Sequence, residues 1–135
     1  MKRRDDGAAA VEMAIVLPLL MVLVFGIIDF GRMLNAQMTV TAAAREGARW
    51  AAIGGPGLTG ETVQNRVNIA APGLTPLATA VLTPPCTAAS AMNANAEVTV
   101  THTFTFITPI GGLTGSGLLS GTKNLTGRGV MRCGG

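Results

Sequence analysis

Gly7-Ala8-Ala9-Ala10-Val11-Glu12 opens the apolar run that decides the architecture of this chain. Lys2, Arg3 and Arg4 precede it, Met13 to Ile28 carry no charge, and Asp29 ends it. Written as a helix at about 1.5 Å per residue, residues 8 to 28 reach about 31 Å, close to the ~30 Å of bilayer hydrocarbon. The basic leader predicts a cytoplasmic N-terminus and an exported remainder. A secretory signal would be followed by a small-x-small cleavage site, but Phe25-Gly26-Ile27-Ile28-Asp29-Phe30-Gly31 is bulky there. Glu12, inside the apolar part, also fits that rule badly. An anchor, uncleaved or cut elsewhere, is the better reading. Glu12 itself requires a reason, because an ionised side chain in hydrocarbon costs roughly 2.5–3.5 kcal/mol on insertion scales. It either snorkels to the cytoplasmic interface or meets a positive partner.

The helical pattern continues past the membrane edge. No proline occurs from Asp29 to Ala52, and apolar residues recur at Phe30, Met33, Leu34, Met38 and Ala42. Asp29/Arg32 and Glu46/Arg49 are i,i+3 pairs of opposite charge. Gly54-Gly55-Pro56-Gly57 stops the run. One helix is predicted over about residues 8–52, near 65 Å long, with 8–28 in lipid and 29–53 outside. Pro18 should kink it or unwind it locally within the membrane. The outer half is crowded with small residues, among them Ala36, Ala43, Ala44, Gly47, Ala48 and Ala51. They permit close approach by neighbours, although alanine also favours helix by propensity alone.

Beyond residue 50 only about 85 of the 135 residues remain, near the lower range for a self-sufficient core. This part is rich in Gly, Thr, Ala and Pro, and the chain has no tyrosine. Its core must be thin. Thr59 should cap a short helix from Gly60 to Ala71, with Val63, Val67 and Ala70 on one face and Pro72-Gly73 ending it. A strand is expected at Leu77 to Thr83. The strongest β signal runs from Glu97 to Ile107, where Val98, Val100, His102, Phe104 and Phe106 alternate with threonines. A glycine-rich stretch, Gly111 to Gly121, leads to a last strand around Thr122 to Cys133. The expected fold is α+β: a long N-terminal helix packed on a small antiparallel sheet, with residues 54–135 as a small exported α+β domain.

The cysteines are Cys86 and Cys133. If this part lies outside the cytoplasm, a disulfide is their natural use, tying the end of the first strand to the end of the last. Two free buried thiols are the alternative. Closing a loop of nearly fifty residues is worth about 4 kcal/mol in the chain-entropy model. No metal site is expected, since zinc needs about four ligands and the single histidine is His102. No catalytic set is visible either. His102 has no carboxylate or nucleophile partner in sequence and reads as a satisfied structural histidine, not a lone base. The glycine clusters at 54–60 and 111–117 lack the Gly-Lys-Ser/Thr ending of a phosphate loop. Asn124-Leu125-Thr126 matches a glycosylation acceptor, a pattern of little weight by itself. Net charge is +3, but the Lys and Arg residues after residue 4 are scattered, unlike the clustered basic face that nucleic acid requires. The expectation is therefore a chain without cofactor, small-molecule substrate or nucleic-acid partner. An exported enzyme or ligand-binding domain on a tether would need a convergent polar pocket around His102.

A short basic leader ending in glycine, then a small residue, then glutamate at the fifth position of an apolar helix, resembles a type IV prepilin processing site. More specifically, three blocks resemble the TadE/TadG-like family: Gly7 to Pro18, Phe25 to Arg32, and Ala43-Ala44-Arg45-Glu46-Gly47-Ala48-Arg49. Thr103-Phe104-Thr105-Phe106 and Gly129-Val130-Met131-Arg132 echo its closing strands more loosely. Those proteins are minor pilin-like, or pseudopilin, components of tight-adherence (Flp, type IVb) pilus systems. The resemblance implies that residues 1–7 are a leader removed by a prepilin peptidase between Gly7 and Ala8, leaving Glu12 at the fifth position of the mature chain. It implies no enzymatic activity. The implied partners are the cytoplasmic membrane, the major pilin, other pilin-like subunits and inner-membrane platform proteins. The family often carries an aromatic after this glutamate, where Met13 stands here, and Asp5 and Asp6 make the leader less basic than usual. An uncleaved, single-pass adaptor of the same apparatus is the alternative.

Overall fold

A computed structural model describes residues 5–54, 59–75, 77–81, 86–87, 89–90, 93–107 and 121–133. The elements are helix α1 (Asp5–Ile53), helix α2 (Gly60–Ala70) and strands β1 (Ala78–Val81), β2 (Asn95–Thr105) and β3 (Thr122–Arg132). The long helix and small antiparallel sheet make the α+β arrangement expected above. The chain divides into two compact units. One comprises Met1–Arg32 with Phe106–Gly121, and the other comprises Met33–Thr105 with Thr122–Gly135.

In the first unit, α1 is inside out by the standards of a water-soluble helix. Large apolar side chains such as Ile15, Leu19, Leu23 and Ile27 are exposed, whereas Asp29 is buried. A chain that hides its acid and shows its leucines is suited to lipid, where apolar surface needs no cover. α1 contains a window long and apolar enough to cross a membrane. It extends back to Asp5, three residues before the expected start. Residues on both sides of Pro18 are helical. Proline removes only the hydrogen bond to the Ala14 carbonyl, and the turns on either side retain theirs.

The second unit holds the core. The strands form a meander in the order β1-β2-β3, antiparallel throughout. On β2, Ala96, Val98, Val100 and Phe104 are buried, matching the period-two pattern of the sequence. β2 starts two residues earlier than expected and ends two residues sooner. Just beyond its end, the Ile107 N–H donates to the Asp29 carboxylate (3.4 Å). The last expected residues of the first strand, Leu82 and Thr83, lie outside the described residues. The largest fully buried side chains are all valines: Val40, Val63, Val67, Val98 and Val100. A core built of valine and alanine is thin, so it depends on close backbone approach.

That approach comes from glycine in β3. Leu125, Gly127 and Gly129 form its buried face. A Cβ on Gly127 would stand 2.7 Å from the Val40 carbonyl oxygen, and one on Gly129 would collide with the Ala44 carbonyl. Strand glycines at alternate positions let another backbone pass closely. The small residues of α1, expected to admit close neighbours, are taken up within the molecule itself: Ala36, Ala43, Ala44, Ala48 and Ala51 are all buried, with β3 against Ala44 and α2 against Gly47. Gln37 secures the contact by donating to the Thr126 carbonyl (3.0 Å).

α2 is capped as its sequence predicts. The Thr59 hydroxyl accepts from the Thr62 N–H (3.4 Å), and Thr62 returns the bond to the Thr59 N–H (3.0 Å). Val63 and Val67 are buried, and Val67 packs against Gly47 of α1. Gly54 ends α1 at φ 65°, the left-handed conformation that glycine adopts freely at a helix C-terminus. A Cβ there would strike the Cys86 carbonyl.

Gly129→Ala should lower the unfolding free energy by about 1–3 kcal/mol, the usual range for overpacking a tight contact. Chemical denaturation of the purified protein checks this, and unchanged stability would show that β3 and α1 do not meet at backbone distance.

Candidate functional site

The sequence-predicted residues fall in three places. Gly7 and Ala8 lie in the first turn of α1, exposed, and a Cβ on Gly7 would meet nothing within 4 Å. The peptide bond between them is helical. Glu12 is exposed one turn further on, without an ion-pair partner among the described residues. Pro18 follows in the exposed apolar stretch. Thus Gly7, Ala8 and Glu12 share one helix end.

At the other end of the apolar run stands Asp29, 4% exposed and the buried charge of the described residues. It pairs with Arg32 at 3.2 Å and accepts from the Ile107 N–H. Burying a carboxylate is tolerated only with such partners. The Asp29/Arg32 spacing was legible in sequence. The contact with Ile107, across 78 positions, was not.

In the second unit, Cys86 and Cys133 are joined, with Cα atoms 5.4 Å apart across a sequence separation of 47. The backbone around them is fixed as well: the Cys86 N–H donates to the Ala51 carbonyl (2.9 Å) and the Cys133 N–H to the Ala94 carbonyl (2.8 Å). The link therefore fastens the end of β3 to the segment lying against the end of α1. Glu46 binds Arg66 of α2 at 3.1 Å and stands 3.9 Å from Arg49. The Arg66 guanidinium in turn lies 5.2 Å from the centroid of the Trp50 ring. The sequence pointed only to the more distant Arg49.

His102 is half-buried on β2, and its Nδ1 is buried without a hydrogen-bond partner. The expectation of a satisfied histidine is corrected at that atom. Across the ladder from His102 stands Leu125, and an aliphatic side chain offers its imidazole nothing to bond. No convergent polar cluster surrounds it among the described residues, where no three His, Cys, Asp or Glu side chains group as metal ligands.

Residues 7–49, which hold both acids of the apolar run, match the family model for TadE-like protein. This segment is TadE-like. The match begins at Gly7 and takes in Glu12, Pro18, Asp29 and Glu46. Residues 50–135 lie outside the match. No curated protein matches the chain, and no solved structure does.

On the outer face of the sheet, Glu97 of β2 and Arg128 of β3 form a diagonal cross-strand pair. The hydrogen bond from Arg128 holds the Glu97 carboxyl below its ordinary value of 4.5. A depressed carboxylate pKa means that the unfolded chain binds the proton more readily, so the stabilisation is present above about pH 4.5 and fades as pH falls through the folded value. Glu97→Gln should therefore flatten the acid limb of a melting-temperature profile relative to the parent chain. Parallel profiles would show that the pair contributes nothing, as many exposed pairs do.

Proposed function

We propose that this protein is a pilin-like structural subunit that acts in assembly, priming or anchoring of a Tad (Flp, type IVb) pilus, without catalytic activity of its own. In this reading it sits in the bacterial cytoplasmic membrane through residues 8–28. Its N-terminus is cytoplasmic and its disulfide-linked domain is exported. A prepilin peptidase removes Met1–Gly7. The partners are the major pilin, other pilin-like subunits and the inner-membrane platform proteins.

One observation carries the proposal: a TadE-like match that starts at Gly7 encloses a lone carboxylate, Glu12, in a membrane-length apolar helix surface. Cleavage after Gly7 would create an α-amine on Ala8, cationic at neutral pH because its pKa is about 8. Glu12 then acquires a counter-charge from its own chain or from a neighbour. Pairing offsets part of the desolvation that an isolated carboxylate bears. Between subunits, such a pair sets the axial register of adjacent helices as one leaves lipid for a bundle.

The uncleaved adaptor of the same apparatus is favoured by a single feature. The Gly7–Ala8 bond lies inside the first turn of α1, and a helical bond must open before a peptidase can cut it. Helix ends fray readily, so the barrier is low.

Glu12→Ala is expected to leave membrane insertion intact while reducing co-purification with the pilus machinery. Intact mass of protein from native membranes reports processing in the same samples, with loss of Met1–Gly7 expected. Wild-type incorporation of the mutant would remove the role given to Glu12. Retention of Met1–Gly7 in the functional protein would favour the adaptor.

A further inference from the structure

Asp29 is where the charge-free stretch of α1 ends. In a helix that spans a bilayer through residues 8–28, that carboxylate stands at the hydrocarbon boundary on the exported side, since a buried-in-lipid position would be penalised. Its oxygen accepts the Ile107 N–H at 3.4 Å. Whatever depth Asp29 has, the backbone of Ile107 has it too, within one hydrogen bond. Ile107 is 70% exposed, and Phe30, the next residue of α1, is 57% exposed. Two large apolar side chains thus present themselves beside a pinned carboxylate at the membrane exit.

The sequence leading on from this point carries no charge as far as Gly121, while Ile110, Leu113, Leu118 and Leu119 recur among glycine, serine and threonine. Charge returns only at Lys123, inside β3. The Phe106 N–H donates to the Gly121 carbonyl at 3.3 Å, so the two ends of this uncharged stretch meet beside each other. Asp29 also answers why an acid is kept where the helix leaves lipid. Its Arg32 partner turns outward, 44% exposed, which suits a cation at the headgroup level.

We infer that the end of β2 is a second membrane contact: Asp29 pins the Ile107 backbone at the bilayer interface, and the Ile107 side chain rests among the lipid headgroups and upper acyl chains. The occupant of this surface is lipid. The chain then meets the membrane at two points of sequence, the end of the apolar run and residue 107. Burial of apolar surface supplies the attraction, at about 25 cal/mol per Å² removed from water.

The inference rests on the membrane-spanning reading above, and the test keeps the two apart. The chain has one tryptophan, Trp50, so Trp50→Phe gives a silent background. Two reporters are placed in it singly, Ile107→Trp and Leu20→Trp; both replace exposed side chains, so neither stresses the fold. Full-length protein is reconstituted in phosphatidylcholine vesicles whose acyl chains are brominated either high on the chain or near the bilayer centre. The expected result for the Ile107→Trp reporter is loss of emission with high bromines and little loss with deep ones. The Leu20→Trp reporter should behave in reverse. An Ile107→Trp reporter quenched by neither lipid, beside a quenched Leu20→Trp reporter, overturns the second contact and leaves the span standing. If neither reporter is quenched, the spanning reading fails and the inference falls with it.

Discussion

Everything in the second unit depends on β3 and α1 meeting backbone to backbone. The valine and alanine side chains of this core are too small to fill the ordinary gap between a helix and a sheet, which needs larger residues to close it. Gly127 and Gly129 remove the Cβ atoms that would hold the two apart, and Ala44 and Ala48 keep the helix face low. Dispersion falls steeply with separation, so a few tenths of an ångström decide whether these small groups gain full contact. The disulfide between Cys86 and Cys133 works alongside this contact. It restricts the unfolded chain by about 4 kcal/mol in the loop-entropy model, a large share for a domain with so little apolar bulk.

Helix α1 therefore meets two solvents. Up to Ile28 its surface is apolar and unburied, as lipid requires; from Met33 its small face is covered by sheet. Asp29 marks the change and is held by Arg32 and the Ile107 N–H. A lone buried carboxylate would be unfavourable, so the partners are what make this residue tolerable at the junction. At the opposite end of the apolar run, Glu12 lacks such partners among the described residues. The contrast between the two acids underlies the proposal that a newly made terminus supplies the missing charge.

Much of the fold was legible in sequence because its signals are local. The 3.6-residue and two-residue periodicities, the Thr59 cap and the Gly54 stop each operate within a few positions. What escaped was the pairing of distant segments. The glycines of β3 look like strand weakeners until the alanine face of α1 is set against them, although their alternate spacing beside Leu125 marked a flat face. The stripe of small residues signalled close packing correctly, yet the partners were the chain's own sheet and α2. Arg66 took Glu46, across 20 positions, at shorter range than the i,i+3 Arg49. His102 was placed on the right strand, but its unbonded Nδ1 depends on what lies opposite. For the candidate site, Glu12 and Asp29 stood out by charge and Gly7 and Ala8 were singled out by the family resemblance, whereas the Ile107 contact at Asp29 had no sequence signal.

Hydrogen exchange of full-length protein in lipid nanodiscs, read by peptide with and without reductant, tests most directly that the second half of α1 is held by the sheet. The account predicts that reduction exposes the amides of residues 33–53 together with those of β2 and β3, while residues 8–28 stay protected. Retained protection at 33–53 after the strands have opened would contradict it, because the helix would then stand without the glycine-lined contact.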